Sequence, residues 1–372
     1  MKFDLKKSTI AIAAMITLFG CNSVSPESSV ESEVDLEVLD RPTVVVAGYA
    51  YDRIQAIKDS RVGLEQADVT FETSNIYALN ANVFGSDQSF DVAEIGLIPY
   101  ISKYINNDFR DYTLIPVFIS RIFRHRNIFV HADSGIEKPE DLIGKRIGTP
   151  GYGMSANTWI RGMLLDEYGI AADDFDWIET QESSDGGKLN KGFNKYFFGD
   201  DFPISKGPEG MDESDLLLSG QCDALITAIT PKAFLEGDPR IKRLFNDVKT
   251  AEMAYYENSR MFPIMHVVAI RNELIDKDPD LPKAVFEMYS KAKSMTYADL
   301  ETTTSLKVTL PWVTQEFEET RELMGENFWK YGIEANRKEL ETLMRYVHEQ
   351  GLVKRRIEFE ELFVPSTLTL EE

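Results

Sequence analysis

From residue 43 onward, short apolar runs alternate with stretches of helical periodicity. "TVVVAGYA" is apolar almost throughout and predicts a buried strand, and "YDRIQAIKDSRV" after it predicts the turn and first helix of a β–α–β unit. "DVTFET" is a second strand, followed by the helix-like "NIYALNANVFG". "FDVAEIGLIPYISKYIN" reads as strand, turn and helix, and "YTLIPVFISR" and "NIFVHA" as further strands. A second series then begins. "KPEDLIGKRIGTPG" ends in a strand and a glycine turn, and "SANTWIRGMLLDEYGI" is a helix with Ser155 or Asn157 as N-cap and Gly169 as C-cap. "DFDWIET" is a strand, "DESDLLLSGQCDALITAITP" a helix and a strand, and "PIMHVVAIRNEL" a strand returning to the first series. From about residue 280 to near 350 the pattern is helical, with a break around Pro311. This rhythm predicts an α/β protein of two lobes with largely parallel sheets and a ligand cleft between them, outside the carboxyl ends of the strands. The expected partition is residues 41–133 with 263–372 in lobe I and 134–262 in lobe II, the latter carrying a polar insertion at 181–212.

The first 40 residues break the pattern. Lys2, Lys6 and Lys7 precede the apolar "TIAIAAMITLFG", which falls short of the ~20 residues of a membrane span and predicts a signal peptide over 1–20. "TLFGC" resembles a bacterial lipobox, so Cys21 is the expected lipidation site. Residues 21–40, rich in Ser and Glu, are the expected flexible tether. Asn22, where Asp would signal inner-membrane retention, resembles the outer-membrane class. The predicted location is the periplasmic side of a bacterial membrane, attached through lipid only. Cys222 is then the one remaining thiol, so no intramolecular disulfide is expected.

Charge narrows the choice of ligand. Lys and Arg total 40 against 62 Asp and Glu, a formal net charge of −22. Such a surface disfavours nucleic acid and anionic lipid. An anion site must therefore be local. "SRIFRHR" gathers Arg121, Arg124, His125 and Arg126 just after Ser120. If the strand continued, Arg121, Phe123 and His125 would face one side and Arg124 and Arg126 the other, with Arg126 solvated. Arg121, Arg124 or His125 is expected to face the cleft, arginine being suited to a carboxylate fork. Asp52 and Arg53 would stand at the cleft mouth, as a surface ion pair or a ligand clamp. "GTPGYGMSANTW" lacks the P-loop and dinucleotide patterns. It reads either as an ordinary strand–turn–helix or as a helix N-terminus offering N–H groups over Gly151–Ser155, with Tyr152 and Asn157 adding donors. Tyr152, Trp159 or Phe123 could flank an aromatic ring. His266, in "FPIMHVVAI", is by default a core histidine and otherwise a cleft-lining proton donor. No His, Cys or carboxylate spacing suits a metal, no nucleophile elbow occurs, and no cofactor is expected.

Several of these stretches, "IPVFISRIFRH", "EDLIGKRIGTPGYGMSANTWIRGMLLDEYGI", "FPIMHVVAIR", "TTTSLKVTLPWV" and "NFWKYG", make residues 42–365 resemble the 4,5-dihydroxyphthalate decarboxylase-like family. That family lies within the type 2 periplasmic-binding-protein folds, near the nitrate, sulfonate and taurine binders. The resemblance implies a two-lobed fold, an aromatic dicarboxylate or related anion as ligand, and, in enzyme members, decarboxylation without a cofactor. The signal-like N-terminus and the 181–212 insertion depart from the family. They make the first reading a monomeric solute-binding lipoprotein that delivers a small organic anion to an ABC permease. The second reading is an aromatic carboxylate decarboxylase, with His125 or His266 as general acid.

Overall fold

The computed structural model of this 372-residue chain describes residues 41–185 and 204–372. The predicted signal peptide, Cys21, the tether and residues 186–203 of the predicted insertion lie outside the described residues. Among the described residues, eleven strands form two sheets. The first has the order β2 (Asp68–Thr73), β1 (Thr43–Gly48), β3 (Val92–Gly96), β11 (Ile264–Arg271) and β4 (Tyr112–Arg121). The second has the order β10 (Ile241–Arg243), β5 (Ile128–His131), β9 (Ala224–Ile226), β6 (Arg146–Thr149), β7 (Asp176–Glu179) and β8 (Ser205–Lys206). β11 runs antiparallel between β3 and β4, and β5 runs antiparallel to β9 and β10, so each sheet is mixed. The two sheets with their flanking helices give the α/β, two-lobed fold expected from the sequence.

Period-two alternation builds the sheets. On β4, Leu114 and Phe118 join a core running through both sheets, whereas Ile115, Val117 and Ile119 join a cluster on the other face with Phe286 and Tyr289 of the helix Leu281–Glu301. Leu225 of β9 and Phe129 of β5 pack with Leu216 and Leu217 in a third cluster. Three sequence expectations shift. β5 belongs to the second sheet, so the first crossover falls between Arg121 and Ile128, ahead of the expected boundary at 133. The first predicted helix is a single turn, Gln55–Lys58, entered through a 3-10 turn. The helix Ser155–Tyr168 has Met154 at its N-cap, and the Ser155 hydroxyl instead accepts from Ile98 N at 3.3 Å. Gly169 ends that helix as predicted, at φ 68°. The helix Arg337–Glu349 crosses it closely, because Gly162 leaves room for Tyr346. A Cβ on Gly162 would stand 2.1 Å from that ring. Among the described residues no helix is long and apolar enough to cross a membrane.

Candidate active site

At one edge of the first sheet, the ends of β1, β3 and β4 meet the start of β11. His266 pairs with Gly96 on one side and Ser120 on the other. Glu94, opposite Val268, therefore lies diagonally from His266 on the same sheet face, and the two side chains meet. His266 Nδ1 lies 2.6 Å from Glu94 Oε1. The same oxygen accepts from Tyr51 Oη at 2.8 Å, and Oε2 accepts from Tyr49 N at 3.0 Å. Glu94 is 2% exposed, so these three donors supply what water would otherwise give a buried carboxylate. Gly48 permits the approach, since a Cβ there would stand 3.0 Å from Oε2. The Tyr49 ring stacks on both Tyr51 and His266, at centroid distances of 5.6 and 6.0 Å. A carboxylate accepts, so Nδ1 carries a proton. Nε2 has no hydrogen-bond partner among the described residues, and the ring is partly exposed.

Two arginines contact neighbours of this pair, Tyr51 and Met265. Arg53 is sandwiched between Tyr51 and Trp329, its guanidinium carbon 3.9 and 4.0 Å from the two ring centroids, and its Nε donates to Ile119 O. Arg124 lies in the crossover, and among the described residues its side-chain hydrogen bonds are soft or long: Nε to Met265 Sδ and Nη1 to Asn127 Oδ1, both 3.3 Å. Burial, and then the like charge of Arg126, push Arg124 down to about 10. Beside the Arg53 stack, a cavity of about 260 Å³ is walled by Phe123, Met253, Phe262, Phe328 and Trp329.

Other predicted residues are placed elsewhere. Strand β4 ends at Arg121 and a 3-10 turn spans His125–Asn127, so the alternation expected through the arginine cluster stops at its first member. Arg121 is not a ligand clamp. It is buried, donates to Phe262 O, Lys330 O and Asn336 Oδ1, and pairs with Glu339 at 3.6 Å. His125 is not a cleft acid. It is buried edge-on to Phe245 and Tyr255, and burial pushes it down to about 4. Arg126 is a surface side chain, as expected. Asp52 is exposed, and its main chain accepts from Thr296 of the helix Leu281–Glu301. Ser120 is buried and interacts with the Tyr51 hydroxyl. Trp159 is a core ring donating to Ile264 O at 2.8 Å. Tyr152 turns toward Trp177 and Arg161. Asn157 donates to Thr149 Oγ1 and Gly151 O, and with Ser155 it braces the turn. Of the predicted set, the structure groups Arg53, Ser120, Arg124 and His266. Glu94, Tyr49 and Tyr51 are additions, and the visible signal for Glu94 was an acid inside the otherwise apolar strand "VAEIG".

Buried titrating groups give this protein opposing pH dependences. Glu213 accepts from Ser184 N, its Oε1 is buried without a partner among the described residues, and burial pushes it up to about 7. The folded chain keeps that proton between about 4.5 and 7, where the unfolded chain has lost it, so the Glu213 contribution falls as pH rises through this window. The His125 contribution is present above about 6.5 and falls as pH drops toward 4. Each amounts to about 3 kcal/mol over its range. Urea unfolding of Glu213→Gln should therefore lose about 3 kcal/mol more than the parent between pH 7 and 4.5. Parallel profiles for the two proteins would rule out the buried proton.

The family model described as "NMT1/THI5 like" matches residues 117–192. A 4,5-dihydroxyphthalate decarboxylase of Comamonas testosteroni is 34% identical over 324 residues, covering 86% of this chain and 95% of the relative. Another of that name from Pseudomonas putida is 31% identical over 219 residues, covering 59% and 83%. Among solved structures, a periplasmic sulfonate-binding protein of Methylobacillus flagellatus aligns with TM-score 0.50 at 15% identity, covering 88% of this chain and 93% of that one.

Proposed function

This chain belongs to the 4,5-dihydroxyphthalate decarboxylase-like family, and from that membership we propose that it is a carboxy-lyase acting on an aromatic dicarboxylate such as 4,5-dihydroxyphthalate. The observation that carries this reading is the Glu94–His266 pair, a histidine oriented by a buried carboxylate and presenting an Nε2 without a partner among the described residues. In the imidazolium form Nδ1–H stays on Glu94, and Nε2–H points to the substrate. A ring hydroxyl releases its proton and pushes electron density to the carbon that bears the carboxylate. That carbon takes the Nε2 proton, and the carbon–carbon bond breaks to give carbon dioxide and the rearomatised ring. The phenol proton and the histidine proton are then restored from solvent. The net reaction consumes one proton per carboxylate lost and needs neither metal nor organic cofactor. Arg53 and Arg124 hold carboxylates, and the Phe123–Trp329 cavity takes aromatic surface. Incubating the purified protein with 4,5-dihydroxyphthalate should release carbon dioxide catalytically. Stoichiometric retention of unchanged ligand would instead mean capture.

Capture is the second reading, favoured by "TLFGC". In it the chain is a lipoprotein anchored through Cys21 on the outer membrane, and an ABC permease receives the anion. Cys21→Ala should release such a protein from membranes.

Both readings make Arg124 a carboxylate anchor. Arg124→Ala should weaken 4,5-dihydroxyphthalate binding at least about tenfold, the loss of a charge-assisted hydrogen bond of about 1.5–3 kcal/mol. Arg126→Ala, at an exposed site, should stay near the parent. Calorimetry on the folded variants distinguishes the two, and equal effects would remove Arg124 from the site.

A further inference from the structure

A second guanidinium is buried without a carboxylate partner among the described residues. Arg161, on the helix Ser155–Tyr168, is 1% exposed and forms no ion pair with a carboxylate among the described residues. Its Nε donates to Gln350 Oε1 and its Nη2 to Tyr152 O, both at 2.8 Å, while Nη1 is buried without a partner among the described residues. The guanidinium carbon lies 3.5 Å from the Tyr152 ring centroid and 5.4 Å from that of Trp177. Burial pushes this side chain down to about 10, with no carboxylate opposing the effect. In a chain with 62 acids, leaving a buried charge unpaired is costly unless an anion arrives from outside.

Arg161 lines a pocket of about 800 Å³, together with Tyr152, Phe175, Trp177 and Gln350. The pocket reaches Arg146 and Asp176, the first residues of β6 and β7. It therefore extends toward the amino ends of those strands, whereas His266 sits at the carboxyl ends of β3 and β4. We propose that this pocket is a second anion site, selective for an aromatic monocarboxylate, whose carboxylate pairs with Arg161 and whose ring packs on Tyr152, Phe175 and Trp177. The three rings select for aromatic surface. Asp173, Asp176 and Glu349 on the same walls oppose a polyanion. Gln350, held by Arg161 Nε and by Thr158 O, is the side chain that swings aside to admit the ligand. This chemistry stands apart from the proposed activity, although loss of one carboxylate from an aromatic dicarboxylate yields a ligand of this class.

The test is calorimetric titration of benzoate into the full chain carrying Arg124→Ala, which removes one of the two carboxylate anchors of the first site and so weakens competing binding there. Saturable binding is expected, at least about tenfold weaker with acetate, which has no ring, and at least about tenfold weaker with benzoate once Arg161→Gln is added. Absence of benzoate binding, or affinity unchanged by Arg161→Gln, overturns the proposal. Should Arg161→Gln fail to fold, Gln350→Ala decides: it keeps the guanidinium and removes its cover, so benzoate should bind more tightly. Equal or weaker binding in that variant overturns the proposal.

Discussion

Replacing His266 with alanine should cut carbon dioxide release from 4,5-dihydroxyphthalate by at least about a hundredfold, the range general acid catalysis supplies being about 10²–10⁴. Folding should survive, since the ring is partly exposed and, among the described residues, makes one hydrogen bond, through Nδ1, and one ring contact, with Tyr49. Glu94→Gln probes the positioning half of the pair. Three donors converge on the Glu94 carboxylate: Tyr51 Oη, Tyr49 N and His266 Nδ1. An amide offers one acceptor oxygen and puts an NH₂ where the other stood, so at least one donor loses its partner. Its expected signature is a fall in kcat with little change in KM and an altered pH profile, which a merely structural residue would not produce. Parent-like turnover in His266→Ala would end the carboxy-lyase mechanism. Retained ligand without turnover in the parent would leave solute capture as the function.

Arg121→Ala should lower stability by about 3–5 kcal/mol, the cost of leaving one member of a buried ion pair behind. Glu339 would keep a buried charge, and Asn336, Phe262 O and Lys330 O would each lose a donor. Burial lowers the Arg121 guanidinium, with Glu339 opposing the effect, as expected of a charge enclosed with its partner. Urea unfolding measures the loss, with Arg126→Ala as the exposed control, expected within about 0.5 kcal/mol of the parent. A difference below about 1 kcal/mol between the two would mean that Arg121 is not the internal tie described above. The neighbouring arginines thus separate by readout: Arg121 by stability, Arg124 by affinity, Arg126 by neither.

By itself the sequence determined the fold class and most elements, because buried strands such as "TVVVAGYA" and "YTLIPVFISR" and the capped helix ending at Gly169 announce themselves through local periodicity and turn chemistry. It also offered Arg53, Arg124 and His266 as candidate site residues, which the structure places near one another. The roles were decided only by tertiary structure. Arg121 and Arg124 are three positions apart in one basic run. One is enclosed by the C-terminal segment around Asn336 and Glu339, and the other is left with a thioether and an amide. In sequence, His125 lies in a basic run and His266 in an apolar one. The first is packed between aromatic rings, and the second gains Glu94 through the β3–β11 register, across 172 positions of chain. Periodicity reports which face a side chain takes on its own element. Which charge it meets there depends on pairing between distant strands, and in a buried site that partner decides whether the group is a structural tie, an anion anchor or a proton donor.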